Sequence, residues 1–158
     1  MRAAFILLAT LYAMLTSCVA QTNTGTGLPR IVAKAYLTIN SADGTIPLTT
    51  ILTPTTSSLY RITVYWNQTI APANCSSGQD CGFLEMPIQW TDEGGAQNNY
   101  AVPSGKLFGS DPQYFTPVSG SLIVRVKANT PLTYFVSGDA GGDGGATYEL
   151  LYVVEQLM

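Results

Sequence analysis

Tyr60-Arg61-Ile62-Thr63-Val64-Tyr65-Trp66-Asn67 is the stretch on which the fold turns. Tyr60, Ile62, Val64 and Trp66 alternate with Arg61, Thr63, Tyr65 and Asn67. That period of two sends one set of side chains to a core and the other to solvent, as in a half-buried β-strand. Its β-branched and aromatic residues suit a pleated surface.

The same alternation recurs on both sides. Upstream, Ile31, Ala33, Ala35, Leu37 and Ile39 oppose Lys34, Thr38 and Asn40; Asp43-Gly44 marks a turn, and Ile46, Leu48, Thr50 and Leu52 run up to Pro54. Downstream, Leu84, Met86, Ile88 and Trp90 alternate with Glu85, Pro87 and Gln89. Pro87 lacks an amide donor, which points to an edge strand or a bulge. Asp92-Glu93-Gly94-Gly95 turns into a short strand near Tyr100 and Val102. Leu122, Val124, Val126 and Ala128 form another strand, and Asn129-Thr130-Pro131 turns it into Leu132, Tyr134 and Val136. The loop 138–146 leads to a last strand, Thr147 to Leu157. About eight strands at this spacing predict an all-β fold, an antiparallel, jelly-roll-like β-sandwich over residues 28–158. Trp66, Trp90, Ile62, Val64, Ile88, Val124 and Leu150 are its expected core.

The last strand is apolar on both faces: Tyr148, Leu150, Tyr152 and Val154 on one, Leu151, Val153 and Leu157 on the other. A strand of that kind is covered twice. The second cover comes from another subunit, which makes Leu151, Val153 and Leu157 an interface, or from the connection 101–119 through Leu107, Phe108, Tyr114 and Phe115.

Of the 158 residues 46% are hydrophobic, enough for one domain with a core. Charged residues are 11%, the net charge is −3, and no basic run occurs. Nucleic-acid binding needs clustered Lys and Arg and is excluded; the folded domain is equally unsuited to anionic lipid. Residues 1–20 read as a signal peptide, with Arg2 before the apolar run Ala3 to Leu15, which is too short to span a bilayer. Two cleavage sites compete. Cys18-Val19-Ala20 suits a secretory signal peptidase, and Leu15-Thr16-Ser17-Cys18 resembles a bacterial lipobox in which Cys18 is acylated. Residues 21–27 form a flexible tether. The protein is therefore expected to be exported, either secreted or lipid-anchored at a bacterial envelope through Cys18. Cys75 and Cys81 stand at a spacing that a disulfide closes in an oxidising compartment. A zinc site is the rival reading, but the chain has no histidine and no further mature cysteine to complete four ligands.

Four stretches carry a resemblance: Tyr60 to Tyr65, Trp90 to Gln97, Val126 to Tyr134 and Tyr148 to Leu157. Together they resemble a β-sandwich module of bacterial surface proteins and phage tail-fibre-like proteins. The resemblance spans most of residues 30–157 and rests on strand and turn signatures. It implies a β-sandwich without catalytic activity and carries over no binding residue.

Chemistry is constrained mainly by what the sequence lacks. Without histidine no Ser-His-Asp or Cys-His device is available, no Gly-x-Ser-x-Gly elbow occurs, and no glycine motif with its lysine cradles a phosphate. Glu85, Asp92 and Glu93 lie close in sequence and keep a paired-carboxylate glycosidase conceivable, but Asp92 and Glu93 fall in a hairpin turn where solvated acids are expected. The loop 137–145 places Asp139 and Asp143 among glycines, a weak calcium candidate whose spacing matches no established loop. Tyr36, Tyr65, Phe83 and Phe135 alternate away from the core and form a candidate glycan-stacking face; cross-strand aromatic pairing is the plainer reading. Asn67-Gln68-Thr69 and Asn74-Cys75-Ser76 match the N-glycosylation pattern, which carries no weight in a bacterial host. The sequence thus predicts no enzyme and no cofactor. It predicts a structural or adhesive surface module acting on a protein partner or on itself, with carbohydrate binding as the alternative.

Overall fold

The alternation around Tyr60 becomes a thirteen-residue strand, β3 (Ser58–Ile70). Its side chains at Ser58, Tyr60, Ile62, Val64, Trp66 and Gln68 are buried, and those between face out. The computed structural model of the chain describes residues 28–40, 45–71, 80–99, 104–108, 117–139 and 147–158, with backbone alone at 40, 80–83, 104–108, 138 and 139. The remaining strand segments among them are β1 (Arg30–Asn40), β2 (Ile46–Leu52), β4 (Asp80–Glu85), β5 (Ile88–Asp92), β6 (Gly95–Asn99), β7 (Ser104–Phe108), β8 (Val118–Val126), β9 (Leu132–Asp139) and β10 (Thr147–Gln156).

They make two antiparallel sheets. The first has the order β1-β10-β3-β8; in the second β9 is flanked by β2 on one side and by β4 and β5 on the other, with β7 and β6 outside them. β4 and β5 hold one register along β9, with Glu85 opposite Ser137 and Ile88 opposite Tyr134. They are one strand interrupted at Met86-Pro87. Phe135 N–H donates to Pro87 O at 3.4 Å, but proline has no N–H to return the bond. Pro87 is fully buried inside the sheet, so it marks an interruption and not an edge. β6 and β7 flank β5 and β4 in the same way, and Tyr100 and Val102 lie between them, outside the described residues.

Taking each broken pair as one strand leaves eight, and the chain alternates between sheets except at the β5–β6 hairpin: β1 in the first, β2 in the second, β3 in the first, β4 to β7 in the second, β8 in the first, β9 in the second, β10 in the first. This is the jelly-roll order. Lys127 N–H to Thr91 O (2.8 Å) and Asn129 N–H to Pro54 O (2.7 Å) tie the sheets together at one end. At the other end lie the residues flanking the undescribed connections, including Asn40, Ile70, Val118 and Thr147 of the first sheet.

The core fills the space between the sheets. Ile62, Val64, Val124, Leu150 and Val154 face Leu84, Ile88, Leu132 and Val136, and burying each such side chain stabilises by roughly 1.5–3 kcal/mol. Trp66 packs edge-on against Tyr148 with centroids 5.1 Å apart. Tyr134 of β9 meets Tyr152 of β10 at 5.4 Å, an aromatic contact joining one sheet to the other. Of the expected core residues only Trp90 departs, being half-buried against the cluster's margin. Its cross-strand neighbour is Gln97 on the outer strand β6, which supplies no apolar cover.

Candidate functional site: the outer face of the four-stranded sheet

Register decides which outward side chains meet. Tyr36 of β1 pairs with Leu151 of β10, and Leu151 pairs with Tyr65 of β3, so Tyr36, Leu151 and Tyr65 form one row across three strands. The row on one side is Lys34, Val153, Thr63 and Ser121; on the other side it is Thr38, Glu149 and Asn67. Tyr36 is 61% exposed and Tyr65 37%, while Leu151 and Val153 between them are half-buried. Strands lie about 4.8 Å apart, which puts the two tyrosines' backbones roughly 10 Å apart.

Polar contacts run across this face, and one of them engages Tyr36. The Tyr36 hydroxyl donates to the Glu149 carboxylate, which holds the phenol's pKa above its ordinary value, and the nearby Tyr65 phenol adds to the effect. Thr63 Oγ1 and Ser121 Oγ lie 3.5 Å apart in the next row. Beyond them, Arg61 and Glu155 form an ion pair at 3.4 Å. The result is an apolar centre of Tyr36, Leu151, Tyr65 and Val153 within a rim of Lys34, Thr38, Glu149, Asn67, Thr63 and the Arg61–Glu155 pair.

This arrangement regroups the candidates read from sequence. Tyr36 and Tyr65 share a face with Leu151 and Val153, whereas Phe83 lies in β4 and Phe135 in β9, both in the other sheet. The four aromatics therefore do not make one stacking face. Phe135 does turn away from the core as expected, but it is half-buried. Leu157 follows the end of β10, its N–H donating to Leu59 O at 2.8 Å, and the Arg61–Glu155 row separates it from Val153. Leu107 and Phe108 belong to β7 at the edge of the second sheet, and Tyr114 and Phe115 lie outside the described residues. Lys34 and Glu149 carry the face's charge outside the Arg61–Glu155 pair, and the sequence pattern alone does not single them out. Alternation shows that each points outward, but only the β1–β10 register shows that they bracket the tyrosine row.

The remaining candidates have structural partners or lie elsewhere. Asp92 Oδ1 accepts from Gly94 N–H at 2.7 Å and from Gln97 Nε2 at 3.1 Å, capping the hairpin. Glu93 pairs with Arg125 Nε at 3.0 Å; its pKa is lowered by its own backbone hydrogen bond first and by Arg125 second. Glu85 Oε1 accepts from Ser137 Oγ at 3.4 Å. The three carboxylates of the glycosidase reading thus act in turns and across strands. Cys18, Cys75 and Asp143 lie outside the described residues, Cys81 sits in β4, and Asp139 ends β9 opposite Phe83. Among the described residues no three His, Cys, Asp or Glu side chains gather as metal ligands.

No family model matches the chain, and no curated protein matches it. Among solved structures it is similar to the CBM22-1 xylan-binding domain from Paenibacillus barcinonensis Xyn10C, at 10% identity and a TM-score of 0.37, over 84% of this chain and 98% of that one. Likeness at that level says nothing about what this chain binds.

Proposed function

We propose that the chain is an exported, non-enzymatic structural or adhesive module that acts through protein contacts made by the outer face of β1, β10 and β3. The observation that carries this reading is the row Tyr36–Leu151–Tyr65, backed by Val153 and flanked by Lys34, Thr63, Thr38, Glu149 and Asn67. An apolar, tyrosine-bearing centre inside a polar rim is the anatomy of a protein interface. The signal peptide read in residues 1–20 and the resemblance to surface modules point the same way. Leu151→Lys places a charge at the centre of the row and should abolish binding of the labelled protein to protease-sensitive targets on envelope preparations. Unchanged binding would sink the reading.

Carbohydrate is the second reading, and Tyr36 and Tyr65 favour it: both rings are exposed, beside Glu149 and Asn67 as hydrogen-bonding groups. The aliphatic side chain of Leu151 between the tyrosines offers a sugar no stacking plane or hydrogen bond, which places this reading behind the first. A glycan array separates the two, because saturable binding lost in Tyr65→Ala belongs to the second alone.

A further inference from the structure

The outer face carries a charge arrangement that selects one occupant. Lys34 and Glu149 lie on opposite sides of the Tyr36–Leu151–Tyr65 row, each displaced from it by two residues along its strand, or about 7 Å. Lys34 is exposed, and neither residue has an ion-pair partner among the described residues. Resting on the protein-contact reading above, we propose that the partner is a second copy of this chain, docked face to face about a two-fold axis along that row.

A two-fold interface must be self-complementary, and an axis in this face can be set parallel to the strands or along the row. An axis parallel to β10 lays Tyr36 over the partner's Tyr65 position but sets Glu149 against its own equivalent, which repels. An axis along the row, perpendicular to the strands, exchanges the two flanking rows. Lys34 then lies over Thr38 of the other copy and one strand from its Glu149, within side-chain reach across sheets packed about 10 Å apart. The symmetry makes two such ion pairs. The same axis lays Leu151 on Leu151 and each tyrosine on its equivalent, and it covers Val153 with the aliphatic stem of Glu149. Both half-buried aliphatic residues on the outer side of β10 gain a cover.

Sedimentation equilibrium of the purified protein, read with its thermal melt, tests this. The wild type is expected to be a dimer. Lys34→Glu and Glu149→Lys should each raise the dimer dissociation constant about tenfold or more at low salt while the protein stays folded. The double swap Lys34→Glu with Glu149→Lys should restore the dimer, because the charges remain complementary. A wild type that is monomeric at all concentrations overturns the proposal, as does a dimer that either single reversal leaves intact or that the double swap fails to restore. If the wild type is monomeric but Leu151→Lys still abolishes binding to a protein target, self-association falls while the protein-contact reading stands. If neither effect is seen, both fall.

Discussion

Gly95 closes the β5–β6 hairpin opposite Asp92 with a φ of +116°, a conformation that a residue with a side chain rarely adopts. A Cβ built there meets nothing within 4 Å, so Gly95→Ala has no clash to relieve, and its cost is backbone strain alone. About 1–3 kcal/mol of lost stability is expected from urea unfolding, and an unchanged midpoint would contradict the backbone assignment. The turn itself was legible, because Asp-Glu-Gly-Gly between alternating stretches is hairpin chemistry. The capping role of Asp92 and the Glu93–Arg125 pair were not, since Arg125 reaches the turn from β8, 32 residues along the chain. Trp90 shows the same limit at a single position. Its place on the apolar side of its strand could be read, but its shallow burial depends on the outer strand β6 beside it.

At the scale of an element, β10 is the most instructive strand. Its inward set runs from Tyr148 through Leu150 and Tyr152 to Val154, all buried, and its outward Leu151 and Val153 are half-buried. Leu150→Ala should therefore cost about 2–5 kcal/mol, because the removed atoms leave a gap between two sheets. Val153→Thr should cost less than about 1 kcal/mol, since its neighbours Lys34 and Thr63 lie at the surface. Equal losses in paired thermal melts of the protein held monomeric by dilution would mean that the outer face is buried within the chain. The double-sided apolar pattern was legible; the identity of the cover was not, and the connection proposed for it turned out to place Leu107 and Phe108 in β7 on the second sheet. The alternation from Leu84 to Trp90 likewise presents one element. It is one in register and two in hydrogen bonding, because Pro87 cannot complete its pair with Phe135.

The whole molecule depends on pairings that span most of the chain, such as Arg30 with Gln156, and alternation cannot assign a strand to a sheet. That is why the strand count and the sandwich were legible while the split of the four candidate aromatics between two sheets was not. The link between the sheets yields a prediction of its own. Tyr134 of β9 lies edge-on to Tyr152 of β10, and burial pushes its phenol up to about 12, with Tyr152 adding to the rise and a Thr49 hydrogen bond opposing it. In the unfolded chain a tyrosine ionises near 10. Between those values the unfolded state has released a proton that the folded state keeps, so the contribution of Tyr134 is complete below about pH 10 and is lost as the pH rises toward 12. Ionisation at Tyr134 would place a charge between the sheets, so the loss should appear as cooperative unfolding of the whole domain. Tyr134→Phe removes that proton, although it also removes the hydroxyl's contacts and lowers stability at every pH. The informative quantity is consequently the slope: urea unfolding followed from pH 8 to 12 should show a shallower decline in the variant than in the wild type. Parallel declines would mean that Tyr134 titrates as an ordinary surface phenol and that the contact between the sheets is not closed to solvent.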